Sequence, residues 1–270
     1  MSYNKYSITR EQLLEYIQKG MSQKEMAESI GCGTSNIGHF IEKFGLRKNQ
    51  VNPIKPNYYF NKIDSIAKAY IIGFIACDSA ISQKCQVEVS IEKADREVAD
   101  FIAKEFDCKV NVDNTFDKKT RRFPRVRFNK KVSDVLKFIG GNLKINRHLP
   151  IVRKDLNRYL LLGAFDADGC ITWGRRKDKN RIWHKISFTT SLSIATCLQQ
   201  ILIKELDIST IVRPKSKEKC YVIEFANRRD ILKFLDYIYC DDFIVLKRKY
   251  LKAKALRLEL EENGEGAIEQ

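Results

Sequence analysis

The sequence predicts an α+β protein in which a small all-α domain precedes two pseudo-symmetric repeats of the order α-β-β-α-β-β-α. Three observations carry that prediction. Residues 70–81 and 159–172 each open as a helix apolar nearly all round, with a glycine followed five positions later by an aspartate: Gly73 with Asp78, Gly163 with Asp168. Behind each aspartate, apolar spacing switches between alternation and the helical period in the same order. Letters recur too: Val135-Leu136-Lys137-Phe138-Ile139 returns as Ile231-Leu232-Lys233-Phe234-Leu235.

Residues 1–49 are the all-α domain. Thr9 is placed to cap a first helix carrying Leu13, Leu14 and Ile17. Ser22 with Glu25 three residues on is a capping box for a second. Gly31-Cys32-Gly33 is a tight turn, and a third helix opens at Thr34 with Ile37, Phe40, Ile41 and Phe44 apolar. This is helix-turn-helix spacing, in which the last helix enters a DNA major groove by its first residues. Ser35, Asn36, His39 and Lys43 are then the DNA-facing positions, since Asn pairs with adenine and Ser reaches a base or a phosphate. A three-helix docking domain is the plainer alternative, and the basic chain behind it favours DNA. Residues 50–60, with Pro53 and Pro56, read as an extended linker.

The first repeat spans 61–150. Asp64 is placed to cap its motif helix. Strands are expected at 80–83 and 86–91, the second alternating through Val87, Val89 and Ile91. An amphipathic helix at 95–106, strands at 109–116 and 121–128 and a helix at 132–139 follow. The second repeat, 151–258, has strands at 170–176 and 181–190, a helix at 192–206, strands near 210–213 and 219–225, and a helix at 229–239. A closing helix begins Lys247-Arg248-Lys249 and either follows phosphates or presents a solvated face. Residues 259–270, acidic and glycine-containing, are expected to form a disordered tail.

Packing logic links the two copies. Glycine inside a helix costs about 1 kcal/mol and is kept where a second backbone comes close. Gly73 and Gly163 therefore imply that the two apolar helices pack on each other. Asp78 and Asp168 would lie side by side at two helix C-termini, whose partial negative charge disfavours a carboxylate. A hard divalent cation with oxygen ligands, Mg²⁺ being the usual one, relieves the repulsion. A single Asp after a helix is ordinarily a turn residue; the repeated offset is what argues for chemistry.

Residues 161–169, with Gly163, Asp166, Ala167, Asp168 and Gly169, resemble the motif of the LAGLIDADG homing endonucleases. The earlier copy, 71–79, keeps Gly73 and Asp78 and has Ala76 and Ser79 where the later has Asp166 and Gly169. Ser79 thus stands where glycine's backbone freedom is often needed. The repeat order over 61–258 resembles that of the family's single-chain members. The resemblance implies two four-stranded sheets forming a saddle in the DNA major groove. It implies that Asp78 and Asp168 bind Mg²⁺ or Mn²⁺, helped by the backbone carbonyls of Cys77 and Ala167. The metal would activate water for phosphodiester hydrolysis, one cut on each strand. A basic side chain usually stabilises the phosphate in this family; Lys219 and, at the aligned place, Arg122 are the candidates.

Contacts to bases or phosphates would fall to Arg125, Arg127, Arg175, Lys177, Lys179, Arg181 and Lys185. Each is otherwise a solvated strand-edge charge. The first hairpin is shorter than the second, so two half-sites should be gripped unequally. A non-cleaving DNA-binding regulator and a maturase acting on intron RNA are the alternatives on the same fold.

Composition agrees with a polyanionic partner. Lys+Arg 49 against Asp+Glu 34 gives a formal net charge of +15 over 270 residues. That favours nucleic acid first and an anionic membrane second. Neither apolar run approaches the roughly 20 residues of a membrane span. The eight cysteines include no Cys-x-x-Cys, and three histidines are too few for a zinc site. Reduced, buried thiols are expected. Residues 1–10 lack an apolar signal core. A monomer in a bacterial or phage-infected cytoplasm, or in an organelle, is the expectation.

Overall fold

The computed structural model describes residues 8–19, 21–46, 58–113, 125–132, 134–175, 182–215, 220–241 and 243–265. The chain divides into two compact units, Met1–Pro56 and Asn57–Gln270.

The first unit holds α1 (Arg10–Gln18), α2 (Gln23–Ile30) and α3 (Thr34–Lys43). Thr9 caps α1 by accepting from the Gln12 amide at 3.1 Å. Ser22 and Glu25 complete both halves of a capping box on α2, at 2.6 and 3.2 Å. Gly31, with φ +73°, ends α2 in the left-handed conformation that only glycine takes cheaply. Leu13, Met26, Ile37 and Ile41 form its core.

The second unit is α+β, in the predicted order. The first repeat runs α4 (Ile66–Cys77), β1 (Ala80–Ile81), β2 (Gln86–Glu92), α5 (Arg96–Glu105), β3 (Asn111–Asp113), β4 (Arg125–Lys131) and α6 (Val135–Ile139). The second runs α7 (Asn157–Asp168), β5 (Gly169–Arg175), β6 (Ile182–Thr190), α8 (Leu192–Leu206), β7 (Arg213–Pro214), β8 (Tyr221–Phe225) and α9 (Arg228–Ile238), and α10 (Lys247–Glu265) follows. Each repeat makes one four-stranded antiparallel sheet, in the order β1-β2-β4-β3 and β5-β6-β8-β7. Alternation sets the faces: Val87, Val89 and Ile91 point into the core, while Gln86, Glu88 and Glu92 are exposed. The two motif helices form the centre, with residues 69–77 of α4 and 159–166 of α7 buried.

Four sequence expectations are corrected. Ser65, not Asp64, caps α4, accepting from the Lys68 amide at 3.3 Å. Asp64 pairs instead with the Lys68 ammonium at 2.9 Å. The strand expected at 210–213 forms only at Arg213–Pro214, because Thr210 is held by side chains rather than by a ladder. Its carbonyl accepts from Gln199 Nε2 at 2.6 Å and its hydroxyl donates to the Glu224 carbonyl at 2.9 Å. The acidic tail expected from 259 onward is helical to Glu265, where α10 buries Leu256 and Leu260; residues 266–270 lie outside the described set. The thiols are free, but only Cys77 is buried, and Cys170 and Cys240 are exposed.

Candidate active site

The site begins with the helix crossing. A methyl group on Gly73 would stand 2.2 Å from the Leu160 carbonyl oxygen, and one on Gly163 2.0 Å from that of Tyr70. Each glycine therefore receives the backbone of the other helix at the residue three positions before the other glycine. No side chain fits in that gap, so glycine is what lets α4 and α7 touch through their main chains.

The two helices then end at the two aspartates. Asp78 is the exposed C-cap of α4, and Asp168 is the last residue of α7, its side chain 11% exposed. Burial pushes the Asp168 carboxyl above its ordinary range, Lys144 pulls it back, and the Asp78 charge pushes it up again. The carboxylates thus repel each other across the seam. Asp168 Oδ1 accepts from Lys144 Nζ at 3.1 Å, while its Oδ2 is buried with no hydrogen-bond partner. The Thr190 hydroxyl is nearby but outside bonding geometry. Burial, with Asp168 beside it, pushes the Cys77 thiol well up, so Cys77 is no nucleophile.

A buried carboxylate oxygen without a partner, within electrostatic reach of a second carboxylate, is a donor set that suits a hard cation. Among the described residues no three His, Cys, Asp or Glu converge. A divalent ion there would need water and phosphate oxygens to complete its shell, which is how Mg²⁺ is usually held.

The motif's remaining polar residue, Asp166, is buried. Its Oδ2 accepts from the Tyr70 hydroxyl at 2.9 Å and from the Leu246 amide at 3.0 Å. Burial raises its pKa to about 6. Gly169 has φ −76°, which any residue adopts, so backbone freedom is not its reason. A methyl there would meet the Phe165 ring at 2.1 Å. In the first repeat Ser79 replaces it, and its hydroxyl donates to the Ile75 carbonyl at 2.5 Å.

Two cations approach the helix ends from behind. Arg147 Nη1 donates to the carbonyls of Ile75 (3.1 Å), Ala76 (3.4 Å) and Ser79 (3.0 Å). Lys249 Nζ donates to those of Phe165 (2.7 Å) and Asp166 (2.8 Å). The closing helix is therefore neither wholly solvated nor wholly free for phosphates: Lys249 points inward, and Arg248 pairs with the buried Asp95 at 2.8 Å.

On the sheet faces, Lys185 lies on β6 and pairs with Glu224 at 2.9 Å. Arg125 and Arg127 occupy alternate positions of β4, opposite Glu92 and Ser90 of β2, and Arg175 ends β5. In α3, Ser35, His39 and Lys43 are exposed and Asn36 is half-buried. Arg122, Lys177, Lys179, Arg181 and Lys219 lie outside the described residues. Lys144, Arg147 and Tyr70 carry no sequence signal of a role, and Lys249 is marked only as part of the basic closing helix. Each acts on a residue tens of positions away, and basic residues are common throughout the chain.

Residues 155–239 match the family model of the LAGLIDADG-like domain. Among solved structures, the chain is similar to the I-SmaMI LAGLIDADG homing endonuclease bound to cleaved DNA, with a TM-score of 0.51, 11% identity, and coverage of 73% of this chain and 90% of that one. It is similar to the LAGLIDADG meganuclease I-AabMI bound to uncleaved DNA, with a TM-score of 0.50, 14% identity, and coverage of 72% and 91%. It is also similar to the LAGLIDADG homing endonuclease I-GzeII in complex with its DNA target, with a TM-score of 0.50, 9% identity, and coverage of 75% and 92%. No curated protein matches the chain in sequence.

Proposed function

We propose, from the premise that the second repeat is a LAGLIDADG-like domain and that the α+β fold is that of LAGLIDADG homing endonucleases, that this chain is a site-specific double-strand DNA endonuclease. One observation carries the reading. Asp78 and Asp168 close the two helices that cross through glycine, and an Asp168 oxygen is left buried and unpaired beside the Asp78 charge.

In this reading Asp78 and Asp168 would hold Mg²⁺ or Mn²⁺. Bound there, a divalent ion supplies Lewis acidity and an activated water. The backbone carbonyls of Cys77 and Ala167 are adjacent candidates for the same shell. Lys144 joins Lys219 and Arg122 as a candidate for the basic side chain that steadies the phosphate. Its ammonium already lies at Asp168 and can turn to the charge that builds on a phosphate. The sheets would lie along the DNA groove, with Lys185, Arg125, Arg127, Arg175, Lys177, Lys179 and Arg181 as the candidate contacts. The helices of the first unit add a second DNA contact through Ser35, Asn36, His39 and Lys43. The +15 net charge supports a polyanionic partner.

The test is incubation of the whole chain with a randomised duplex library and Mg²⁺, followed by sequencing of the ends. A recurrent cut site in both strands is expected. Intact DNA under Mg²⁺ and Mn²⁺ alike would remove the enzyme reading.

A further inference from the structure

We propose that Arg147 and Lys249 are a matched pair of positioning residues, one for each repeat, that fix the carboxylate-bearing ends of the two motif helices. The proposal deepens the nuclease reading and rests on it for the strand-resolved part of its test.

The last carbonyls of a helix lack intrahelical partners and carry the negative end of its dipole. Here two such ends meet, each leading into an aspartate. Arg147 holds the carbonyls of Ile75 and Ala76, and Lys249 those of Phe165 and Asp166. These positions are 90 residues apart, the same interval that separates Asp78 from Asp168. The two cations thus occupy equivalent places, although one is arginine and the other lysine.

Both are buried, Arg147 to 2% exposure and Lys249 to 6%. A buried cation is tolerated only when its hydrogen bonds are met. Each also comes from chain that follows the last helix of its sheet, Arg147 after α6 and Lys249 in the first turn of α10, after α9. Arg147 goes further: by bonding Ile75, Ala76 and Ser79 it grips the chain on both sides of Asp78, and its Nη2 anchors to the Asn142 carbonyl at 2.6 Å. Lys249 has fewer donors and, while it holds the Asp166 carbonyl, leaves the Asp166 carboxylate to Tyr70 and Leu246. Charge-assisted bonds of this kind are strong and directional. They set where the main chain leaves the helix, and so where each carboxylate points.

The experiment uses the full chain with Arg147→Met, Lys249→Met and the charge-keeping variants Arg147→Lys and Lys249→Arg. Nicking is followed separately on each strand of the cleaved site. DNA affinity in Ca²⁺ and thermal melting are measured alongside. Arg147→Met should slow one strand by about a hundredfold, the size of effect a misplaced group produces, and that strand should be the one lost in Asp78→Asn. Lys249→Met should slow the other, matching Asp168→Asn. Affinity in Ca²⁺ should stay unchanged, and the charge-keeping variants should recover part of the rate.

A purely structural cap would slow both strands together in step with lost folded protein, and that outcome overturns the proposal. If the apolar variants do not fold, Arg147→Lys and Lys249→Arg carry the same strand-by-strand test. Mn²⁺ binding by electron paramagnetic resonance separates the two readings. With a wild type that nicks nothing, weakened Mn²⁺ binding in Arg147→Met and Lys249→Met still supports positioning. Binding equal to wild type in both removes it.

Discussion

The Tyr70 hydroxyl reaches from the first repeat to donate to the Asp166 carboxylate of the second at 2.9 Å, with both groups buried. The equivalent pair in the other direction is Leu160 and Ala76, which is apolar. The pseudo-symmetry is therefore broken by one polar pair and one apolar pair; Tyr70 and Leu246 satisfy Asp166 Oδ2, while its Oδ1 stays buried without a partner.

Asp166 makes stability depend on pH. A carboxyl whose pKa is raised by folding binds its proton more tightly in the native state. Between 3.8 and about 6 the unfolded chain has released the proton and the native chain has not. Stability should therefore fall as pH rises through that window, by at most about 3 kcal/mol. Asp166→Asn, whose amide oxygen can still accept from Tyr70, should lack this slope. Urea denaturation at a series of pH values checks it, and parallel curves for the two proteins would contradict it.

Gly73→Ala and Gly163→Ala each place a methyl within 2.2 Å of main-chain oxygen on the partner helix. Main chain cannot move aside as a side-chain tip can, so overpacking should cost about 3 kcal/mol or more. Chemical denaturation measures this directly. A loss near the roughly 0.5 kcal/mol of an ordinary surface substitution would mean that the helices are not in backbone contact.

Lys144→Met removes the cation at Asp168. Burial already raises that carboxyl and Lys144 opposes it, so the variant's Asp168 should titrate at a higher pH than wild type. Carbon-13 NMR of the metal-free protein reads the shift. An unchanged titration would show that Lys144 does not act on the carboxylate.

The double helix motif, its glycines, the repeat order and the α+β class were legible because they rest on local periodicity and on a repeated offset. Helix caps were legible where side chain and amide are three residues apart, as at Thr9 and Ser22. Asp64 misled because Ser65 competes for the same amide and Asp64 has Lys68 within reach. Gly169 is not needed for its φ: a side chain there would meet the Phe165 ring and, at 2.5 Å, the Phe165 carbonyl oxygen. Lys144, Arg147 and Lys249 could not be found by spacing. Their partners lie 24, 72 and 84 residues away at the first contacts, and nothing in a basic sequence separates an inward lysine from a solvated one.

The first unit has a core of its own, so a chain lacking residues 1–56 should keep the second unit's fold. If α3 contacts DNA, the shortened chain should bind more weakly and with a shallower dependence on salt, since fewer phosphates are neutralised. Fluorescence anisotropy at several salt concentrations tests this. Equal affinity and equal slope would assign the first unit some other partner.

The paired carboxylates are the heart of the account, and strand-resolved cleavage by Asp78→Asn and Asp168→Asn probes them most directly. Wild type should open both strands with Mg²⁺, and each variant should lose a different strand while still binding the duplex in Ca²⁺. Two variants that cut both strands as fast as wild type would contradict the assignment of these aspartates to the chemistry.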